Sequence, residues 1–107
     1  MPRIRSIKPE FFTDEDLNDL PLAAHFLFAG LFGLADRDGR LEDRPRTIKL
    51  YVFPHRKIDI EPLLTALAAP KPNGKPFIVR YVSGIHRVIQ IVEFKRHQRI
   101  SGKESET

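Results

Sequence analysis

The sequence predicts a domain of mixed α+β class, and three observations point to it. Residues 21–34 and 59–69 carry apolar side chains at helical spacing. Residues 77–92 form two runs of β-branched and aromatic side chains around a Ser-Gly dipeptide, the pattern of a β-hairpin. The length of 107 residues suits a single domain with one hydrophobic core.

The composition excludes several classes of protein. The chain has no cysteine, which rules out disulfides and thiolate metal sites and fits a reducing compartment. No stretch approaches the ~20 apolar residues of a membrane helix, and the N-terminus lacks a hydrophobic signal segment. We therefore expect a cytoplasmic protein that does not enter a membrane.

The distribution of charge predicts an anionic partner. The net charge is only +4, but residues 71–99 hold seven cations and a single acid, Glu93. Residues 10–19 hold five acids and no cation. Such asymmetry favours a surface that binds an anion, with nucleic acid the natural candidate, over an uneven solvated surface.

The N-terminal segment contains two kinds of charge. Thr13, followed by three acids at positions 14–16, is typical of a helix N-cap with carboxylates facing the positive end of the helix dipole. Arg3 and Arg5 lack such a local role and would share one face of an extended segment. They are either an arm on DNA or the charged edge of a short strand.

The next helix begins at Pro21 and is apolar around most of its circumference. Such a helix lies in the core or has a partner on its second side, and we expect the core position, with His25 as a core histidine and not a metal ligand. Residues 36–39 form a turn in which Gly39 takes positive φ. A short strand follows at residues 40–42.

Two further helices complete the helical part. Asp43 is predicted to cap one that buries Ile48 and Val52 and ends at Pro54. Asp59 is predicted to cap the next, whose apolar stripe occupies positions 60, 63, 64, 67 and 68.

The register of the hairpin depends on its turn. A two-residue turn at 83–84 would set Arg80 opposite Arg87, which places like charges together. A three-residue turn at 83–85 would place Phe77 and Val79 beside apolar residues of the second strand. We prefer the second register because it gives one continuous apolar face.

The order helix, short strand, helix, helix and hairpin is that of a winged helix-turn-helix, with residues 54–58 as the turn and the hairpin as the wing. Residues 1–20 would form an N-terminal arm and short helix, residues 21–100 the winged-helix domain, and residues 101–107 a disordered polar tail.

Several fragments resemble a known family in their order and spacing: IRSIKPEFF, LADRDGRLED, RPRTIKLYVFP, IDIEPLLTAL and IVEFKRHQ. Together they are similar to the N-terminal winged-helix domain of phage and prophage replisome-organiser proteins, over about residues 2 to 100. The resemblance implies DNA binding in replication initiation within a bacterial host cell. It also implies the replicative helicase, or another replisome protein, as a partner.

The helix at residues 59–69 would normally enter the major groove, yet its exposed face offers only Glu61, Thr65, Ala66 and Ala69. It has no Arg, Lys, Asn or Gln to read purine edges. We therefore predict that double-stranded DNA is held mainly by phosphate contacts. The predicted nucleic-acid-binding residues are Arg3, Arg5, Arg44, Arg46, Lys49, Arg56, Lys57, Thr65, Arg80, Arg87, Lys95, Arg96 and Arg99. If six cations contact phosphates, log K falls with log salt with a slope of about −5.

The alternative is a protein-interaction winged helix, a helicase-loading adaptor or regulator that does not bind DNA directly, because fold alone does not determine function. Whether the chain forms a homo-oligomer stays open. An enzyme is not expected. The four histidines lack metal-ligand spacing, and no glycine-rich phosphate loop is present. We assign no catalytic, cofactor-binding or metal-binding residue.

Overall fold

The computed structural model describes residues 2–97 and has a mixed α+β fold. The helices are α1 (Glu10–Thr13), α2 (Glu15–Asn18), α3 (Leu22–Leu34), α4 (Pro45–Val52), α5 (Ile60–Ala68) and α6 (Phe94–His97). The strands are β1 (Arg40–Glu42), β2 (Ile78–Ser83) and β3 (His86–Ile91), in one antiparallel sheet of order β1-β3-β2. The predictions for Arg99 and for the tail at 101–107 lie outside the described residues.

The order α3, β1, α4, α5 and the β2–β3 hairpin is the predicted one, and it is compatible with a winged helix. The class is therefore confirmed as α+β. The short helix α6 was not predicted, because residues 94–97 carry no helical apolar repeat.

Helix α3 is the centre of the helical layer and packs against α2, α4 and α5. Its inner face is buried, and Phe28 and Phe32 on that face contact aromatic rings from three other segments, at Phe11, Phe77, Phe94 and His97. Its outer face is not covered: Leu22 is 84% exposed and Phe26 is 55% exposed. The predicted core position is thus correct for one side of the helix.

His25 is a core histidine, as predicted. It is buried, its Nε2 lies 2.9 Å from the carbonyl oxygen of Phe11, and its ring centroid lies 4.6 Å from that of Phe11. The ring thereby ties α3 to the N-terminal helices.

Two of the three predicted helix caps are wrong. Thr13 is the last residue of α1, and the chain is extended at Asp14, whose Oδ1 accepts a hydrogen bond from the backbone N–H of Leu17. Asp43 does not cap α4, because its carboxylate is engaged by Arg80 of the hairpin. The third cap, at Asp59, is confirmed: its Oδ1 accepts from the N–H of Glu61.

The predicted hairpin register is wrong by one residue. The turn is Gly84–Ile85, so Ser83 pairs with His86 and Arg80 lies opposite Ile89. Gly84 has φ +62° at the first central position, as the tight two-residue turns favoured in hairpins require. A shift of one residue exchanges the two faces of a strand, so Val79 is exposed and Arg80 points toward the helices.

The turn before β1 is as predicted. Gly39 has φ +81°, and Asp36 Oδ1 accepts hydrogen bonds from the backbone N–H groups of Asp38 and Arg40. Gly39 is also buried beneath Phe94, since a Cβ added to the glycine would lie 2.7 Å from Phe94 Cγ.

Candidate nucleic-acid interface

The predicted DNA-contacting cations fall into separate groups, one at each end of the hairpin. Arg87 follows the hairpin turn, whereas α6, with Lys95 and Arg96, follows the other end of β3. Because β3 has six residues, these ends are about 20 Å apart. The described cations therefore do not form a single group.

The group at the turn lines one groove of about 410 Å³. The groove lies between the hairpin turn and the start of α4, and its basic side chains are Arg44, Arg46, His86 and Arg87, all of them exposed. The acids of the groove are Glu42, which pairs with Arg44 Nε at 2.6 Å, and the buried Asp43. Within residues 2–97, neither Arg46 nor Arg87 forms an ion pair, so both guanidinium groups can bind an external anion.

Arg80 does not belong to this accessible set, although we predicted it as a DNA contact. Its side chain is 18% exposed, and Nε and Nη2 donate to the two carboxylate oxygens of Asp43 at 2.7 and 3.1 Å. Nη1 and Nη2 also donate to the carboxylate of Glu61 in α5. The hydrogen bonds to Asp43, followed by those to Glu61, raise the pKa of Arg80 above its usual value. The hydrogen bond from Arg80 in turn lowers the pKa of Glu61 below its usual value.

The Asp43–Arg80–Glu61 network joins three elements: the β1–α4 junction, strand β2 and the first turn of α5. Asp43 is 3% exposed at its side chain, whereas Glu61 is 52% exposed. The network therefore has a buried anchor and an accessible carboxylate at its outer end. Asp43 lines the basic groove and is linked through Arg80 to Glu61, and Arg87 of the groove also contributes to lowering the pKa of Glu61.

The other cations of the helices lie near α4. Lys49 is half-buried and its Nζ lies 3.5 Å from the carbonyl oxygen of Phe53. Arg56 and Lys57 are exposed in the turn between α4 and α5. Thr65 is exposed one helical turn after Glu61 on α5.

The N-terminal cations lie at the far end of the hairpin. The N–H of Arg3 donates to the carbonyl oxygen of Gly33 at 2.7 Å, which fixes the segment across the end of α3. The guanidinium carbon of Arg5 lies 5.3 Å from the ring centroid of Phe94, and Lys8 Nζ donates to the carbonyl oxygen of Arg96 at 2.6 Å. The segment thus forms no strand within the described residues but packs against α3 and α6.

A second cleft, of about 520 Å³, lies between this N-terminal segment, the 71–75 loop and α6. Its walls carry both signs of charge, and its cations are engaged: Lys75 and Arg96 both pair with Glu93. The half-buried His97 also lines it, and burial lowers the pKa of that imidazole. A cleft of mixed and internally paired charges is less suited to a polyanion than the groove at the turn.

Residues 2–97 contain neither a metal-ligand cluster nor a membrane-spanning helix. No group of three or more His, Asp or Glu residues there is arranged to hold a metal ion. No helix in that part of the chain is long and apolar enough to cross a membrane.

The sequence predicted the cations of the groove but missed the Asp43–Arg80–Glu61 network. Its one sequence signal was the pair of acids at helix starts: Asp43, which we predicted to be a cap, and Glu61, which we placed on the exposed face of its helix. Comparison with protein-family models, curated proteins and solved structures finds no match to this chain.

Proposed function

We propose that this protein is a winged-helix protein that binds double-stranded DNA through its phosphate backbone. The observation that carries the proposal is the groove at the hairpin turn, where Arg46 and Arg87 are exposed and form no ion pair among the described residues. Guanidinium groups bind phosphate oxygens with two parallel hydrogen bonds, which makes such a groove a suitable phosphate site. The resemblance to replisome organisers supports a role in replication initiation of a phage or integrated element.

A salt series with a short labelled duplex of random sequence tests the proposal. With two or three phosphates bound, log K should fall with log salt with a slope of about −2 to −3, shallower than six contacts would give. Affinity should then weaken about 16- to 64-fold between about 50 and 200 mM salt. A slope near zero, or no binding at low salt, would contradict DNA binding.

Charge reversal locates the interface. The double variant Arg46→Glu/Arg87→Glu should lose at least about tenfold in affinity and most of the salt slope. The matched control is Lys75→Glu/Lys95→Glu, which changes the net charge equally at the far end of the hairpin. Equal losses in the two variants would show attraction by total charge and would refute the groove as the interface.

A protein-binding role is the second candidate, favoured by the uncovered apolar face of α3. Leu22 and Phe26 on α3, with Leu50 and Tyr51 on α4, are exposed. Beside them lies an apolar groove of about 220 Å³ lined by Pro2, Phe26, Gly30, Gly33, Leu34, Tyr51 and Val52. Clustered exposed apolar groups are typical of interaction surfaces.

This role predicts a different response to mutation. Phe26→Ser/Tyr51→Ser should weaken binding to the purified replicative helicase, or dissociate a homo-oligomer in sedimentation, while DNA affinity stays unchanged. Arg46→Glu/Arg87→Glu should do the opposite. If the apolar variant changes neither helicase binding nor sedimentation, these partners are excluded.

A further inference from the structure

Glu61 has a fixed orientation that surface glutamates usually lack. Its carboxylate receives hydrogen bonds from Nη1 and Nη2 of Arg80, and Arg80 is itself held by both oxygens of the buried Asp43. An exposed polar group locked by a second layer of hydrogen bonds is the arrangement of a preorganised binding site. It lies in the first turn of α5, the helix that enters the major groove in a helix-turn-helix.

The chemistry of a carboxylate limits which base it can contact. The ionised group accepts hydrogen bonds and donates none. In the major groove, guanine presents two acceptors and thymine an acceptor with a methyl group. Adenine presents its amino donor beside the acceptor N7, whereas cytosine presents the N4 amino donor alone. Cytosine is therefore the base that a fixed carboxylate prefers.

The surrounding charge allows this acid to approach DNA. Arg80 offsets the carboxylate directly, and Arg87 lies near enough to interact with it. The charge of the acid is thus offset by Arg80, whose partner Asp43 lines the basic groove, so the acid does not oppose the groove.

We propose that Glu61 reads a single cytosine in the major groove and is a specificity-determining residue of this protein. The inference rests on the proposed DNA-binding function and adds one base contact to an interface otherwise made of phosphate contacts. Arg80 and Asp43 are positioning residues that orient the carboxylate.

Selection from a library of random duplexes tests the inference. The wild-type protein should enrich sites with one constant cytosine, and replacing that pair should weaken binding about 5- to 150-fold, the range for one good base contact. In Glu61→Gln the side chain keeps an acceptor for Arg80 and gains an amide donor, so the preference should move to adenine, which glutamine reads at N6 and N7. Glu61→Ala should bind without preference at that position and keep the wild-type salt slope.

The matched control is Glu15→Gln, an equal change of charge in the exposed first turn of α2. It should leave the cytosine preference intact. Thermal unfolding of each variant verifies that it is folded. If Glu61→Gln does not fold, the loss of base preference in Glu61→Ala tests the inference.

The outcomes separate this inference from the function on which it rests. Salt-dependent binding without base preference, or a cytosine preference that survives in both Glu61 variants, would overturn the reading role and leave DNA binding in place. Absence of affinity for every duplex at low salt would overturn both.

Discussion

Removing one member of the Asp43–Arg80 pair should cost more stability than breaking any exposed ion pair within residues 2–97. Arg80→Met keeps most of the length of the side chain but removes every donor from the buried carboxylate of Asp43. Leaving one member of a buried ion pair without its partner costs about 3–5 kcal/mol. Because Arg80 retains 18% exposure, water can reach part of the site, and we expect the low end of that range, about 3 kcal/mol.

The loss of the hydrogen bonds to Glu61 adds little to this free-energy cost, since the Glu61 carboxylate is half exposed and solvated. A domain of this size has a total stability of about 5–15 kcal/mol. A loss of about 3 kcal/mol lowers Tm by about 12 °C at roughly 4 °C per kcal/mol. Urea denaturation followed by circular dichroism, together with thermal melts, measures both quantities.

The double variant Arg80→Met/Asp43→Ala distinguishes the free-energy cost of an unpaired buried charge from the cost of lost packing. Removing the acid as well should recover about 2 kcal/mol, because a buried pair replaced by apolar groups is often neutral. Arg44→Met is the control: its partner Glu42 is exposed, and the change should stay within about 0.5 kcal/mol. The reasoning is refuted if Arg80→Met costs under about 1 kcal/mol, or if the double variant is no more stable than the single one.

The parts of the fold that local chemistry determines were predictable from the sequence. Helix α5 follows from the Asp59 cap and its apolar stripe, and both are present in the structure. The turn before β1 follows from the need for positive φ at Gly39. Each of these signals lies within a few residues of the element that it specifies.

The hairpin register was not predictable in the same way, because residues distant in the chain determine it. An inward arginine on β2 looks unfavourable until Asp43 and Glu61 are placed beside it, 37 and 19 residues earlier in the chain. The continuous apolar face that we preferred ignores this compensation. The network thus explains the wrong register, and it gives Asp43 a partner in the hairpin, while Arg44 occupies the N-cap position of α4.

The candidate interface was predicted in residue type but not in grouping. A sequence gives the spacing of cations along the chain, while their distance in space depends on strand pairing. Arg46 and Arg87 are 41 positions apart in the sequence yet line one groove, and Lys95, much nearer to Arg87, lies at the other end of β3. Only the antiparallel pairing of β3 with β1, which leads into α4, brings the first two together.

Two more local features give measurable predictions. Gly39→Ala combines positive φ with a clash against Phe94 and should lower the free energy of unfolding, measured by urea denaturation, by about 3 kcal/mol. Gly74→Ala, with φ +86° and open space around it, should lower it by about 1 kcal/mol. Equal losses would show that the contact with Phe94 is unimportant. For His97, burial lowers the pKa in the folded state, and Lys71 acts in the same direction. As the pH falls from about 7 through the unfolded pKa of about 6.5, the unfolded chain binds a proton that the folded chain does not, so stability should decline until the lower folded pKa is passed. His97→Phe keeps an aromatic ring in place and should abolish this decline. Glu61 does not interfere with the measurement, because its lowered pKa confines the loss of its contribution to stability to pH values below about 4.3. An unchanged decline in His97→Phe would assign it to another group.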